Sequence, residues 1–181
     1  MKLGVFIERD GVLNLATVER SQQVSPLSPG LFKLNPAAAG LVRQLKAAGL
    51  VVIATTNQPG LSRGYQSRRA LDQMHTQLLQ AMPLDEILVC PHDETDHCPC
   101  RKPKPGLFTE ARYKWQLELD RSFVISDKWY DAEAALAVGA TSLLIQSPWL
   151  GQAHHDLVVA DFRAAVKKLL QLLGAPVMAG T

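Results

Sequence analysis

The first residues able to do chemistry lie in the stretch Val5-Phe6-Ile7-Glu8-Arg9-Asp10-Gly11-Val12-Leu13-Asn14. A short apolar run ends in two acids one residue apart, followed by a glycine. In an extended strand alternate side chains share a face, so Glu8 and Asp10 point to the same side at the strand's end. Gly11 lets the backbone turn sharply behind them. Paired acids at the carboxyl end of a strand suit a divalent cation and in-line phosphoryl chemistry. Read alone, the same residues fit the solvated tip of an edge hairpin equally well, because short acidic turns are common.

A second cluster is Cys90-Pro91-His92 with Cys98-Pro99-Cys100, a C-x-H-x5-C-x-C run. Three thiols and an imidazole this close in sequence can close a tetrahedral zinc site with no open position, which makes the metal structural. His97 is a competing ligand with poorer spacing. All three cysteines of the chain fall between Cys90 and Cys100, which argues against a disulfide framework. The clip runs into Arg101-Lys102-Pro103-Lys104, a basic step stiffened by Pro103 and Pro105. Beside a metal clip, such a step reads as a phosphate clamp rather than a solvated face.

The elements that position these groups alternate between strand and helix. The opening strand is followed by a polar loop, Leu15 to Asn35, carrying Pro26 and Pro29. Helical spacing covers Pro36 to Ala48, with Gly49 as its stop. Leu50 to Ala54 reads as a strand buried on both faces, with the loop beginning Thr55-Thr56-Asn57 at its carboxyl end. A helix over Ser67 to Ala81 turns Leu71, Met74, Leu78 and Leu79 to one face, and Glu86 to Val89 is a short strand delivering Cys90. Gly106 to Gln116 is helical, Ser122 to Ile125 a strand ending in Ser126-Asp127, and Asp131 to Val138 a helix. Thr141 to Ile145 reads as the final strand and Phe162 to Leu173 as a closing helix. The expected fold is α/β: a Rossmann-like doubly wound parallel sheet with helices on both faces and a small zinc-pinned loop. It occupies one domain, 1–173, with 174–181 a frayed tail.

In such a sheet, ligands bind outside the carboxyl ends of the strands. Glu8/Asp10, Thr56/Asn57 and Asp127/Asp131 all fall there, so three segments converge on one rim. Each alone fits a cap or turn residue, but three such coincidences are improbable. With 181 residues, 47% hydrophobic and 20% charged, the chain can bury a full core. A net charge of +2 is too small to argue for nucleic acid or an anionic membrane. No apolar run approaches the roughly 20 residues needed to span a bilayer. The opening strand begins at once, without room for a signal peptide, so the expected setting is cytoplasmic. The expected state is monomeric.

These motifs together resemble the phosphatases of the haloacid dehalogenase superfamily, in the subgroup of bacterial heptose bisphosphate and histidinol-phosphate phosphatases. The residues that carry the likeness are Arg9-Asp10-Gly11-Val12-Leu13-Asn14, Thr56-Asn57-Gln58, the Cys90/His92/Cys98/Cys100 clip, Cys100-Arg101-Lys102-Pro103-Lys104-Pro105-Gly106, and Ser126-Asp127-Lys128 with Asp131. The likeness extends from Val5 to about Leu173. It implies a magnesium-dependent phosphomonoesterase with a structural zinc, acting on a small phosphorylated metabolite. Asp10 would be the general acid/base, and its backbone carbonyl would reach the magnesium together with Glu8 and Asp127. Thr56, Asn57 and Lys102 would hold the transferring phosphoryl group, while Asp131 and Lys128 would support Asp127 at the magnesium site, Lys128 also lying within reach of the phosphate. Arg63 and Arg101 are candidates for the rest of the substrate.

Asn57-Gln58-Pro59-Gly60-Leu61-Ser62-Arg63-Gly64 resembles the heptose type, in which the 7-phosphate of D-glycero-D-manno-heptose 1,7-bisphosphate is removed. The short zinc loop resembles the histidinol-phosphate type. One departure stands out: the family's first acid is an aspartate that becomes a phosphoaspartate, and here it is Glu8. An extra methylene displaces the attacking oxygen by about 1 Å, a misplacement that can cost roughly a hundredfold in rate. The other reading is therefore a catalytically impaired relative that binds a phosphosugar. Ser126, where the family usually carries glycine, is a smaller departure.

Overall fold

The computed structural model describes residues 1–152 and 154–175. Its strands are β1 (Gly4–Glu8), β2 (Thr17–Glu19), β3 (Gln22–Val24), β4 (Val51–Asn57), β5 (Glu86–Cys90), β6 (Phe123–Ser126), β7 (Thr141–Ile145) and β8 (Leu157–Val159). The helices are α1 (Ala38–Ala47), α2 (Arg68–Ala81), α3 (Gly106–Trp115), α4 (Trp129–Leu136) and α5 (Phe162–Leu172). Six strands form one sheet in the order β5-β4-β1-β6-β7-β8, every neighbouring pair parallel.

Alternation along the strands divides the core. Val5, Ile7, Val52 and Ala54 face one layer, where Leu41 and Leu45 of α1, Leu71 and Met74 of α2, and Val166 and Leu169 of α5 cover them. Phe6, Val51 and Ile53 face the other, against Leu107 and Phe108 of α3 and Ala134 and Ala135 of α4. Phe6 and Phe108 meet there with ring centroids 4.5 Å apart. Helices on both faces explain why the central strands are apolar without interruption. Ser67 starts α2 by accepting the Ala70 N–H (3.1 Å), and Asp161 starts α5 by accepting that of Ala164 (2.7 Å).

The expected α/β class and doubly wound sheet are present, with several local corrections. The strand expected to stop at Ala54 runs on through Asn57, because β5 continues to pair with it up to Asn57 and Cys90. Thr55, Thr56 and Asn57 are therefore strand residues. The polar loop 15–35 contains the antiparallel hairpin β2/β3, turned by Arg20 and Ser21 at φ 48° and 61°. Such a turn normally carries Asn or Gly, so its usual sequence signal was missing. Thr141–Ile145 is not the last strand. The three-residue β8 adds beyond it, anchored by Asp156, whose Oδ2 accepts the Ser142 N–H (2.7 Å) and hydroxyl (2.8 Å).

Helix α1 begins at Ala38 rather than Pro36, because Asn35 Oδ1 accepts the Ala37 N–H (3.1 Å) in a preceding turn. Leu79 is 48% exposed and does not belong to the buried face of α2. Helix α4 starts two residues earlier than expected, which puts Asp131 in its first turn rather than at its first residue. Of the tail expected to fray, Gly174 and Ala175 remain hydrogen-bonded to the end of α5, and 176–181 lie outside the described residues. Among the described residues, no helix is long and apolar enough to cross a membrane.

Candidate active site

β1 lies between β4 and β6, the point at which successive connections leave in opposite directions and a crevice opens at the strand ends. Its last residue, Glu8, is 2% exposed. Glu8 Oε1 accepts the Asp10 backbone N–H (3.1 Å), while Oε2 pairs with the Lys102 ammonium. Lys102 Nζ also meets Asp131 Oδ1 (2.6 Å) and Thr55 Oγ1 (3.3 Å), and lies 5.6 Å from the centre of the Tyr130 ring. One buried cation thus serves two buried acids. Burial raises the pKa of Glu8, but Lys102 and Lys128 outweigh it and hold the acid below its ordinary range. Asp131 carries the cost: burial, reinforced by Glu8, pushes it up to about 7 against the pull of Lys102. The two acids share a cation and titrate as a unit. Burial alone would lower Lys102, yet Asp131 and Glu8 raise it.

Asp10 sits one step beyond the strand. Its Oδ1 accepts from Arg9 Nε (3.0 Å) and Nη2 (2.8 Å), and its Oδ2 accepts from Ser25 Oγ (2.6 Å) and Gln58 Nε2 (2.9 Å). Burial works against the charge, but Arg9, Ser25 and Lys128 together lower the pKa. Gly11 follows at φ 95°, and a Cβ there would lie 2.3 Å from Asp127 Oδ2. Only glycine lets this turn approach the Asp127 carboxylate so closely. The Asp10 backbone oxygen and Asp127 Oδ1 both accept from Lys128 Nζ, the latter at 2.6 Å. Burial raises Asp127 despite Lys128; burial alone would lower Lys128, but Glu8 and then Asp127 raise it. Glu8, the Asp10 carbonyl and Asp127 therefore surround a position where positive charge is stabilised. That oxygen donor set fits a hard divalent cation, provided the Lys128 side chain turns aside.

Strand β4 and the basic step complete the rim. Asn57 Oδ1 accepts the Lys102 N–H (3.1 Å) and its Nδ2 donates to the Lys102 carbonyl (3.0 Å), so this amide fixes the loop that carries the buried lysine. Thr56 is buried and its Oγ1 accepts from Gln58 Nε2 (2.8 Å). Arg63 and Arg101 stand apart from the acids, on the wall of a cavity of about 930 Å³ that opens over Lys102. Arg63 is paired with Asp93, and Arg101 Nη2 donates to Glu94 (3.3 Å).

The zinc clip is assembled as its spacing implies. Cys90 Sγ and Cys98 Sγ are 3.6 Å apart, as are Cys98 and Cys100, and His92 Nδ1 lies 3.3 Å from Cys100 Sγ. A tetrahedron built on Zn–S bonds of ~2.3 Å has edges of about 3.8 Å, so these donors fit one zinc ion. Such sulfur separations are far too long for disulfides, and all three thiols are free. His97 is not in the cluster, since it caps the short turn Glu94–Asp96 with φ 48°. Close packing ties the clip to the start of α3: a Cβ on Gly106 would lie 2.4 Å from the Pro99 carbonyl oxygen.

Sequence reasoning missed Thr55, Ser25 and Gln23 as parts of the site, and gave Arg9 and Gln58 no role. Gln23 Nε2 donates to the Asp10 carbonyl (3.1 Å), and like Ser25 it arrives on the hairpin that carried no turn signal. The buried oxygens Gln23 Oε1 and Gln58 Oε1 have no hydrogen-bond partner among the described residues, leaving acceptors beside Asp10 for water or a substrate hydroxyl.

The Hydrolase_like (HAD-hydrolase-like) family model matches residues 99–165. A D-glycero-beta-D-manno-heptose-1,7-bisphosphate 7-phosphatase of Pseudomonas putida is 34% identical over 155 residues, covering 81% of this chain and 83% of the relative. The chain belongs to this family of HAD-like phosphatases. Another member, from Helicobacter pylori, is 33% identical over 90% of this chain and 94% of its own length. The crystal structure of the Bordetella bronchiseptica D,D-heptose 1,7-bisphosphate phosphatase, complexed with magnesium and phosphate, superposes with a TM-score of 0.81. It is 29% identical, and the match covers 95% of this chain and 99% of that one. HAD-like phosphatase architecture therefore extends over both the acidic strand end and the zinc clip.

Proposed function

We propose that this chain is a magnesium-dependent phosphomonoesterase that removes the 7-phosphate of D-glycero-D-manno-heptose 1,7-bisphosphate. The observation that carries this reading is the buried carboxylate pair at the end of β1, with Lys102 on one acid and a fourfold hydrogen-bonded Asp10 beside it. A Glu8 oxygen attacks phosphorus as the bond to the sugar oxygen breaks, giving an acyl-phosphate on Glu8. Asp10, ionised in the free chain, takes up a proton when the negatively charged ester enters beside it and delivers that proton to the leaving alkoxide. It then takes a proton from water, which attacks the same phosphorus, freeing inorganic phosphate and the Glu8 carboxylate. Lys102 and Thr55 sit where the charge on the phosphoryl oxygens grows. Magnesium, held by Glu8, the Asp10 carbonyl and Asp127, would add Lewis-acid stabilisation to that charge. Arg63 and Arg101 stand on the cavity wall where a second phosphate can be met.

A second reading, a phosphosugar-binding relative with impaired turnover, is favoured by one observation: both oxygens of the longer acid are already engaged, Oε1 by a backbone N–H and Oε2 by Lys102. Phosphate release from heptose 1,7-bisphosphate and from histidinol phosphate, with magnesium, separates the readings when the native chain is compared with Glu8→Asp. Turnover by the native chain on the heptose ester supports the phosphatase. Turnover by Glu8→Asp alone establishes the binding relative. Faster release from histidinol phosphate replaces the substrate, and activity in neither form defeats the proposal.

A further inference from the structure

Arg9 is the largest side chain buried to completion in the described structure, and its guanidinium is ordered on three sides. Nε and Nη2 both donate to Asp10 Oδ1, at 3.0 and 2.8 Å. Nη1 lies 3.0 Å from His75 Nε2 on α2. The Phe32 ring covers the third side, its centroid 5.4 Å from Cζ. A guanidinium carries only donors and stays charged in proteins. His75 Nε2 must therefore be an acceptor, which places the ring proton on Nδ1 and leaves the imidazole neutral. Its surroundings agree: burial first, then the charges of Arg9 and Arg68 against that of Asp10, bring His75 down to about 4.

This arrangement divides the labour of the Asp10 carboxylate. Oδ1 is committed twice to Arg9, so Oδ2, which touches only the neutral donors Ser25 and Gln58, is the oxygen able to exchange a proton with a leaving group. The division holds only while the guanidinium keeps its angle. Two of its contacts are to Asp10 itself, and an aromatic face resists tilt but not rotation in the plane. The imidazole on Nη1 is the contact that fixes that rotation.

We propose that His75 is a positioning residue: through Arg9 it holds Asp10 with Oδ1 locked and Oδ2 turned to the substrate. Its effect on rate rests on the phosphatase reading, whereas its effect on geometry does not, and the two are read separately. Imidazole 15N resonances of the full chain at neutral pH should show His75 with Nδ1 protonated and Nε2 bare. An Nε2–H tautomer or an imidazolium would overturn the inference. The side-chain carboxyl 13C resonance of Asp10 should move in His75→Leu and stay in place in His75→Gln, whose amide oxygen can still accept from Arg9. Equal resonances in the two variants would also overturn it, whether or not the chain turns over.

In whichever of the native and Glu8→Asp forms is active, His75→Leu should lower kcat on the order of tenfold or more, the scale of a misplaced reacting group. KM should stay within about threefold, and His75→Gln should restore kcat. A purely structural histidine would instead move kcat and KM together, or leave the two substitutions indistinguishable.

Discussion

Replacing Lys102 with methionine keeps a side chain of similar length and removes the cation that, alone among the described residues, touches both Glu8 and Asp131. Those acids and the lysine are each at most 2% exposed, so water cannot take over from the ammonium. Breaking a buried ion pair from one side costs about 3–5 kcal/mol, because a charge is left without a partner. For a chain of this length each kcal/mol lowers Tm by about 2–4 °C. The expected loss for Lys102→Met is therefore roughly 6–20 °C, a large part of a stability that is commonly ~5–15 kcal/mol. Thermal unfolding followed by circular dichroism measures it directly.

The sign of the pH dependence gives a second handle on the same variant. Without Lys102, burial and mutual repulsion raise the pKa values of both acids above their unfolded values. A folded state that binds protons more tightly is stabilised as pH falls, so Lys102→Met should recover on going from pH 8 to pH 6. Adding Glu8→Gln should return more than half of the lost Tm at pH 8, since Asp131, already at about 7, can then take up a proton alone. A loss in Lys102→Met below about 2 °C, or the same loss at both pH values, would show that this triad is not the electrostatic centre described above. Turnover should fall in parallel, because losing one preorganised group that faces developing charge commonly costs ~10²–10³ in kcat.

Removal of the clip metal should release one zinc per chain to a chelator and lower Tm. Cys98→Ser should reproduce the loss of zinc, whereas His97→Ala should leave zinc content unchanged; an unchanged Tm after zinc release would deny the clip its structural role. Ser25→Ala deletes a 2.6 Å hydrogen bond to the reactive oxygen of Asp10 and should reduce kcat about tenfold, the equivalent of ~1.4 kcal/mol, in steady-state phosphate release. His75 is held at about 4 in the folded chain, so it contributes stability that is complete above its ordinary value near 6.5 and is lost as pH falls toward 4. Denaturant midpoints of the native chain should fall across that window more steeply than those of His75→Gln, and parallel slopes would contradict the assignment.

The parts of the site that could be read from the sequence are those placed by strict periodicity or short spacing. Glu8 and Asp10 follow from the period of two in a strand, and the four zinc donors lie close together between Cys90, at the end of β5, and Cys100. Lys102 follows because its loop is tied to that clip. What escaped depends on pairing across distant segments. Thr55 looked like a loop residue, since nothing local says that β5 extends β4 by three residues. Ser25 and Gln23 reach Asp10 only because Arg20 and Ser21 accept positive φ without the glycine that advertises such a turn. Arg9 lies between two recognised acids, yet the pattern of alternation turns it away from them. Only the bend after Glu8 brings its guanidinium round to Asp10, and His75, remote in sequence, meets it from α2.

The charge count of this pocket connects the departure at Glu8 with the remainder of the site. Glu8, Asp10, Asp127 and Asp131 are met by Arg9, Lys102 and Lys128, all nearly or fully buried, which leaves a net charge of −1 when every acid is ionised. A phosphate dianion entering alone would deepen that to −3 in surroundings with little water, an arrangement that burial penalises heavily. A divalent cation entering with it returns the pocket to −1, the starting value. Cation and phosphate should therefore bind cooperatively, each raising the affinity of the other by the same factor. An extra methylene at Glu8 leaves this balance untouched, because it moves a charge without removing one. The substitution acts on distance alone, so phosphate affinity in the presence of magnesium should differ little between the native chain and Glu8→Asp even where their turnover differs greatly. Isothermal titration of phosphate with and without magnesium measures both terms, and a large difference in affinity between the two chains would show that the longer acid has altered the electrostatics as well as the reach.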